Sequence, residues 1–182
     1  MLPRRILPVL ALLPASRAAA RTRYVFDQAG GRIGFSARHL GLFTSHGQFD
    51  RFQATLAIDP DNPTDATVEC VVETADVSIP FPGGVDLLRS EPFFDVTRHP
   101  TARFAGRAER LGDSSGFPIA GQLIVRGITR PFRMTARLID RQASVARFQA
   151  EGEMRRGEFG MVTDRTLISD AIRLSVDVRI AL

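Results

Sequence analysis

The stretch AIRLSVDVRIAL, Ala171 to Leu182, alternates without a break. Ile172, Leu174, Val176, Val178, Ile180 and Leu182 share one parity, and Arg173, Ser175, Asp177 and Arg179 share the other. A period of two is the mark of a strand with one apolar face, since successive side chains point to opposite sides. The same rhythm recurs upstream at Arg23–Gln28, Ile33–Leu40, Gln48–Ile58, Thr67–Val77, Ala102–Leu111, Phe117–Arg126, Phe132–Asp140 and Ser144–Arg155. Gly30-Gly31, Asp59-Pro60-Asp61-Asn62-Pro63, Gly112 to Gly116 and Gly127 to Pro131 punctuate it with turn residues.

One interval breaks the pattern. Phe81 to Pro100 (FPGGVDLLRSEPFFDVTRHP) holds three prolines and no clean alternation. Val85 to Ser90 suits one or two helical turns, and Phe93 and Phe94 need an apolar place to sit. A long crossover over the end of a barrel supplies it. Long antiparallel strands with short turns leave exposed edges unless the sheet closes. Eight strands is the size at which a barrel can hold a small ligand. The expected fold is therefore all-β: a single extended eight-stranded antiparallel β-barrel with a short helical crossover near residues 82–95.

The chain has 182 residues, 44% hydrophobic and 24% charged, a globular composition. At this length roughly 70% of the unfolded surface can be buried, so neither metal nor disulfide is needed for folding. All 24 basic residues are Arg, and the pI is about 10.7. With one Tyr, one Cys and no Lys, almost nothing titrates between neutral pH and the Arg range above ~12, so a small excess drags the pI upward. Without residues 1–20 the chain has 21 Arg against 20 acids, a net charge of +1. That is no nucleic-acid footprint.

Residues 1–20 (MLPRRILPVLALLPASRAAA) combine the pair Arg4-Arg5, an apolar run from Ile6 to Ala15 and the A-x-A site Ala18 to Ala20. This is the form of a cleaved signal peptide, and ten apolar residues are too few to span a hydrocarbon core of ~30 Å. Export by the general or the twin-arginine route stays open. No later stretch approaches eighteen apolar residues, so stable membrane insertion is not expected. The mature domain is read as residues 23–182, periplasmic or secreted after cleavage near Ala20.

Cys70 stands alone and shares its parity with Val68 and Val72, the place of a buried filler and not of a disulfide. His39, His46 and His99 show no ligand spacing for zinc. Ser36, Ser45, Ser78 and Ser90 lack a G-x-S-x-G elbow. Catalytic residues, metal and cofactor are therefore not expected. Arg38, Arg89 and Arg98 suit either a phosphate or a nearby carboxylate such as Asp86, Glu91 or Asp95.

Several segments in order resemble the YceI-like family of exported bacterial proteins, polyisoprenoid-binding and lipocalin-like. Leu88-Arg89-Ser90-Glu91-Pro92-Phe93-Phe94-Asp95-Val96, with His99-Pro100 and Phe104, is similar to its most specific motif. Gly121 to Pro131 resembles its G-x-L-x-x-x-G-x-T-x-P hairpin, and Arg156 to Met161 its R-x-x-F-G motif. Ile33-Gly34-Phe35 and Gly47-Gln48-Phe49 match its opening strands, while Pro92 and His99 depart from its usual residues. The resemblance implies a lumen that holds a long isoprenoid, quinone or fatty chain for transport or storage, with no chemistry of the protein's own. Phe35, Phe49, Phe52, Phe104, Phe117, Phe132 and Phe148 are the candidate lumen residues; taken alone, they would equally fill a solid core. Arg38, His39, Asp86, Arg89, Phe93 and Phe94 are the candidates at the mouth, where a head group would sit. A homodimer is compatible with the resemblance. Two rival readings remain: a solid barrel serving interaction or stress protection, and an enzyme acting on a lipid or quinone-like substrate.

Overall fold

The computed structural model describes residues 21–59, 62–109 and 116–181, with the backbone alone at 59 and 62–65. Residues 1–20, which hold the expected signal peptide, lie outside this range. Eleven strand segments are found among the described residues: β1 (Thr22–Asp27), β2 (Gly31–His39), β3 (Phe43–Phe49), β4 (Phe52–Asp59), β5 (Asn62–Glu73), β6 (Val77–Ser78), β7 (Thr101–Ala108), β8 (Phe117–Val125), β9 (Ile128–Arg141), β10 (Val145–Arg155) and β11 (Ile168–Ala181). One helix, α1 (Gly84–Arg89), lies in the crossover, and a 3-10 turn covers Arg156–Phe159.

The all-β antiparallel barrel is as expected, while the strand count differs from the expected eight: eleven segments are found among the described residues, because three long runs are bent. β1 pairs with β4 and β2 with β3, so β1–β2 and β3–β4 are two bent runs lying side by side. β5 pairs with β4 and β6 with β3, which makes β5–β6 a third. The corners are tied by hydrogen bonds: the Asp50 amide donates to the Asp76 carbonyl (2.6 Å) and the Glu73 amide to the Arg51 carbonyl (3.0 Å). Counted by runs there are eight, each antiparallel to the next through β7, β8, β9, β10 and β11. β11 returns to pair with β2, and the ring of ladders closes. Closure satisfies the edge amides and carbonyls that an open sheet of this length would expose.

The alternation of the last segment holds in three dimensions. Val178 and Ile180 are buried and Ile172, Leu174 and Val176 half-buried, while Arg173, Ser175 and Arg179 are exposed. On the outer face Arg147 clasps Asp177, with Nε to Oδ1 at 2.9 Å and Nη2 to Oδ2 at 2.5 Å. The β2–β3 hairpin, the crossover, the β8–β9 turn and the segment from 156 to 167 all lie at one end of the barrel, called here the crossover end. The chain's described start, the paired ends of β4 and β5 at Asp59 and Asn62, and the β9–β10 turn lie at the other.

Candidate functional site

Inside the ring runs a continuous cavity of about 570 Å³, within the range of ligand pockets. Every one of the eight runs contributes to its wall. Along β11 the lining residues extend from Ile168 to Ile180, and Ile172 to Ile180 alone covers roughly 26 Å at ~3.3 Å per residue. Apart from His39, Ser45, Cys70, Arg103 and Arg156, the residues that line it have no polar side-chain atom.

Glycine is what keeps so many phenylalanines from filling this space. A β-carbon at Gly47 would overlap the ring of Phe35, which it faces across the β2–β3 ladder. The Phe104 ring likewise occupies the place of a side chain at Gly106, and the Phe132 ring that at Gly152. Each ring lies down along the wall over a glycine and does not stand up into the lumen. Phe104 and Phe132 meet edge to face at 5.7 Å, the arrangement that suits the aromatic quadrupole.

The crossover folds onto itself before it reaches the cavity. The Phe94 amide donates to the Leu88 carbonyl (2.9 Å) and the Asp95 amide to the Ser90 carbonyl (3.0 Å). This coil turns Phe93 and Phe94 inward, where the Phe94 ring sits 5.6 Å from Phe49 and 6.5 Å from Phe35. Arg126 holds the coil from outside: its Nη1 donates to the Phe93 carbonyl at 2.8 Å. Arg126 and Gly127 both have positive φ, 52° and 71°, as a two-residue type I′ hairpin requires. An arginine in that conformation is strained, and the bond to Phe93 is its compensation.

Arg156 is buried beside the crossover end of the cavity, with 2% of its surface exposed. Its Nε donates to the Ser169 carbonyl (3.1 Å), Nη1 to Met161 (2.9 Å) and Nη2 to Ile168 (3.0 Å). Burial lowers its pKa, and the neighbouring Asp170 works in the opposite direction. The guanidinium is therefore spent on the backbone of the segment it closes and faces the lumen as a structural post.

These features can be set beside known proteins. The chain matches the YceI-like domain over residues 24–180. It belongs to the YceI-like family. A UPF0312 protein of Pectobacterium atrosepticum is 31% identical over 179 residues, covering 94% of this chain and 93% of that one. Among solved structures, BcnA of Burkholderia cenocepacia superposes with a TM-score of 0.71 at 17% identity, covering 84% of this chain and 98% of the other. A polyisoprenoid binding domain from Saccharophagus degradans does so with 0.65 at 12% identity, covering 89% and 99%.

Within this YceI-like barrel, Phe35, Phe49, Phe104, Phe117, Phe132 and Phe148 all lie on the cavity wall. Phe52 does not. It is 3% exposed and packs in the core, beside the position of Gly31. Of the candidates at the mouth, His39, Phe93 and Phe94 line the cavity. His39 Nε2 lies 2.7 Å from Ser45 Oγ, and its ring stacks on Phe43 at 4.9 Å. Arg38 and Asp86 are exposed and absent from the wall, and Arg89 turns its Nε to the Ala75 carbonyl (2.8 Å). Sequence reasoning did not single out the aliphatic wall of Leu88, Leu123, Ile172, Leu174 and Val176 as site residues, although the parity of β11 had put the last three on one face. Among the described residues no group of three His, Cys, Asp or Glu is placed to hold a metal.

Cys70 lines the cavity, and burial pushes its thiol from 9.0 up to about 12. A thiol so raised stays protonated and is a poor nucleophile. Alkylation of the folded protein at about pH 8 is expected to be slow, and fast once denaturant is added. Between the unfolded value of 9.0 and the folded value of about 12, the unfolded chain releases this proton and the folded one keeps it. Stability therefore falls as pH rises through that window. Cys70→Ala should flatten this alkaline loss, measured as denaturation midpoints at about pH 8 and about pH 10. Rapid alkylation of the folded protein would contradict the burial.

Proposed function

We propose that this protein holds a long apolar lipid, of polyisoprenoid, isoprenoid-quinone or fatty type, in the barrel lumen for transport or storage. It acts by binding and carries out no reaction on its cargo. The observation that carries this reading is the cavity, continuous along the barrel and lined almost wholly by apolar side chains. Such a wall selects for hydrocarbon: each CH₂ taken from water contributes about 0.8 kcal/mol without any directional partner. The Saccharophagus degradans neighbour, described as a polyisoprenoid binding domain, supports the same class of ligand. Residues 1–20, with their charged start, short apolar run and A-x-A site, support export to the periplasm and cleavage.

Affinity for a series of linear alcohols of increasing length tests this. It should rise up to about fourfold per CH₂ and level off once the lumen is full. Changing the head from hydroxyl to carboxylate should matter less than adding two carbons. An affinity set by the head group and indifferent to length would argue against carriage.

A further inference from the structure

The large exposed apolar side chains are not scattered. Seven of the ten found among the described residues lie at the crossover end. Leu40, Leu42 and Phe43 form the tip of the β2–β3 hairpin, Phe81 and Leu87 belong to the crossover, and Leu167 immediately precedes β11. Val162 is the seventh. The segments are joined, since the Leu40 amide donates to the Leu167 carbonyl at 2.9 Å. Beyond Ser78, which pairs with Gln48, the crossover sets out alongside β3 in the direction of Phe43.

Two observations say what covers this surface. First, Phe43, Phe81 and Leu87 are exposed and also line the cavity. The apolar rim and the apolar lumen are one surface, and the cavity opens through it. Second, Leu40 holds φ at 50°, in the left-handed region that branched residues avoid, and the next turn residues leave Leu42 84% exposed. With Gly41 also at positive φ (69°), the turn is built like Arg126-Gly127, and it holds a large apolar side chain out at the rim. We propose that the crossover end is a docking surface for a lipid bilayer, into whose interface the rim inserts so that cargo passes between membrane and lumen without crossing water. A second protein seated there would seal the opening; a bilayer is both the surface and the source of the cargo. This inference rests on the carriage reading. Charges near the rim are of both signs, with Arg38 and Arg165 against Asp86 and Asp164. Attachment is therefore by apolar insertion, and it should not need anionic lipid or weaken in salt.

The test places an environment-sensitive fluorophore on Leu42→Cys, in a Cys70→Ala background, and on Ser144→Cys at the opposite end as control. With vesicles of neutral phosphatidylcholine, the label at position 42 should shift to the blue and brighten at least twofold, unchanged in high salt. The label at 144 should stay silent. The double variant Leu42→Asp/Leu167→Asp, whose positions do not line the cavity, should lose at least tenfold in vesicle affinity while keeping its lipid content. A silent label at 42, an equal response at 144, or an undiminished double variant would overturn the proposal. So would a response at 42 that grows with protein concentration alone, which would assign the rim to a second copy of this chain. A response at 42 in a protein that never holds lipid would leave the docking surface standing and remove the carriage reading instead.

Discussion

Phe104→Asp is expected to lower affinity for a long-chain isoprenoid alcohol by at least about a hundredfold. The ring lies on the cavity wall against Phe132 and is packed by both apolar clusters of the core. A carboxyl in its place stands among apolar side chains and must either draw water into the lumen or remain neutral. Both cost free energy when hydrocarbon fills the same space, about 2–7 kcal/mol for an uncompensated polar group. Desolvation would raise the introduced carboxyl's pKa. The neutral form then prevails at lower pH, so the loss should be larger at about pH 8 than at about pH 5. Phe104→Leu keeps an apolar wall and should bind within a few-fold of the native protein, which separates lumen chemistry from folding. A folded Phe104→Asp variant with undiminished affinity would remove Phe104 from the lumen.

Arg156→Met should cost about 3 kcal/mol or more of stability, because it strands the carbonyls of Met161, Ile168 and Ser169 together. Methionine keeps an unbranched apolar stem but donates nothing. Arg156→Lys restores the charge without the planar fork, and it should recover only part of the loss. Denaturation midpoints of the three proteins make the comparison. A methionine variant within about 1 kcal/mol of the native protein would mean that water satisfies these carbonyls and that the post is dispensable.

Much of the barrel can be read along the chain, for a physical reason: a sheet with one apolar face writes its period into the sequence. The face from Ile172 to Ile180 is both the clearest alternation in the chain and a stretch of cavity wall. The bends are harder. Gln48–Ile58 reads as one strand until the spacing of Phe49 and Phe52 is noticed. The two are three residues apart and both buried, which strict alternation forbids and the corner at Asp50–Arg51 permits. The crossover announces itself by the loss of period, and its helix falls within the expected interval.

Whether thirteen phenylalanines fill a core or line a tunnel was not legible, because the answer lies in register. Gly47 is silent in the sequence; only its pairing opposite Phe35 shows that the ring has somewhere to lie. Arg156 is the converse case. Buried arginines are rare, so nothing in the pattern around it points inward. Its role depends on three carbonyls from 161 to 169 that the local fold gathers around one fork.

Carriage itself is tested most directly by native mass spectrometry on the protein purified from its own cells without delipidation. A lipid-filled lumen predicts a discrete added mass that organic solvent releases and fragmentation identifies as a long apolar chain. A bare polypeptide mass, persisting after incubation with isoprenoid alcohols and quinones, would contradict it.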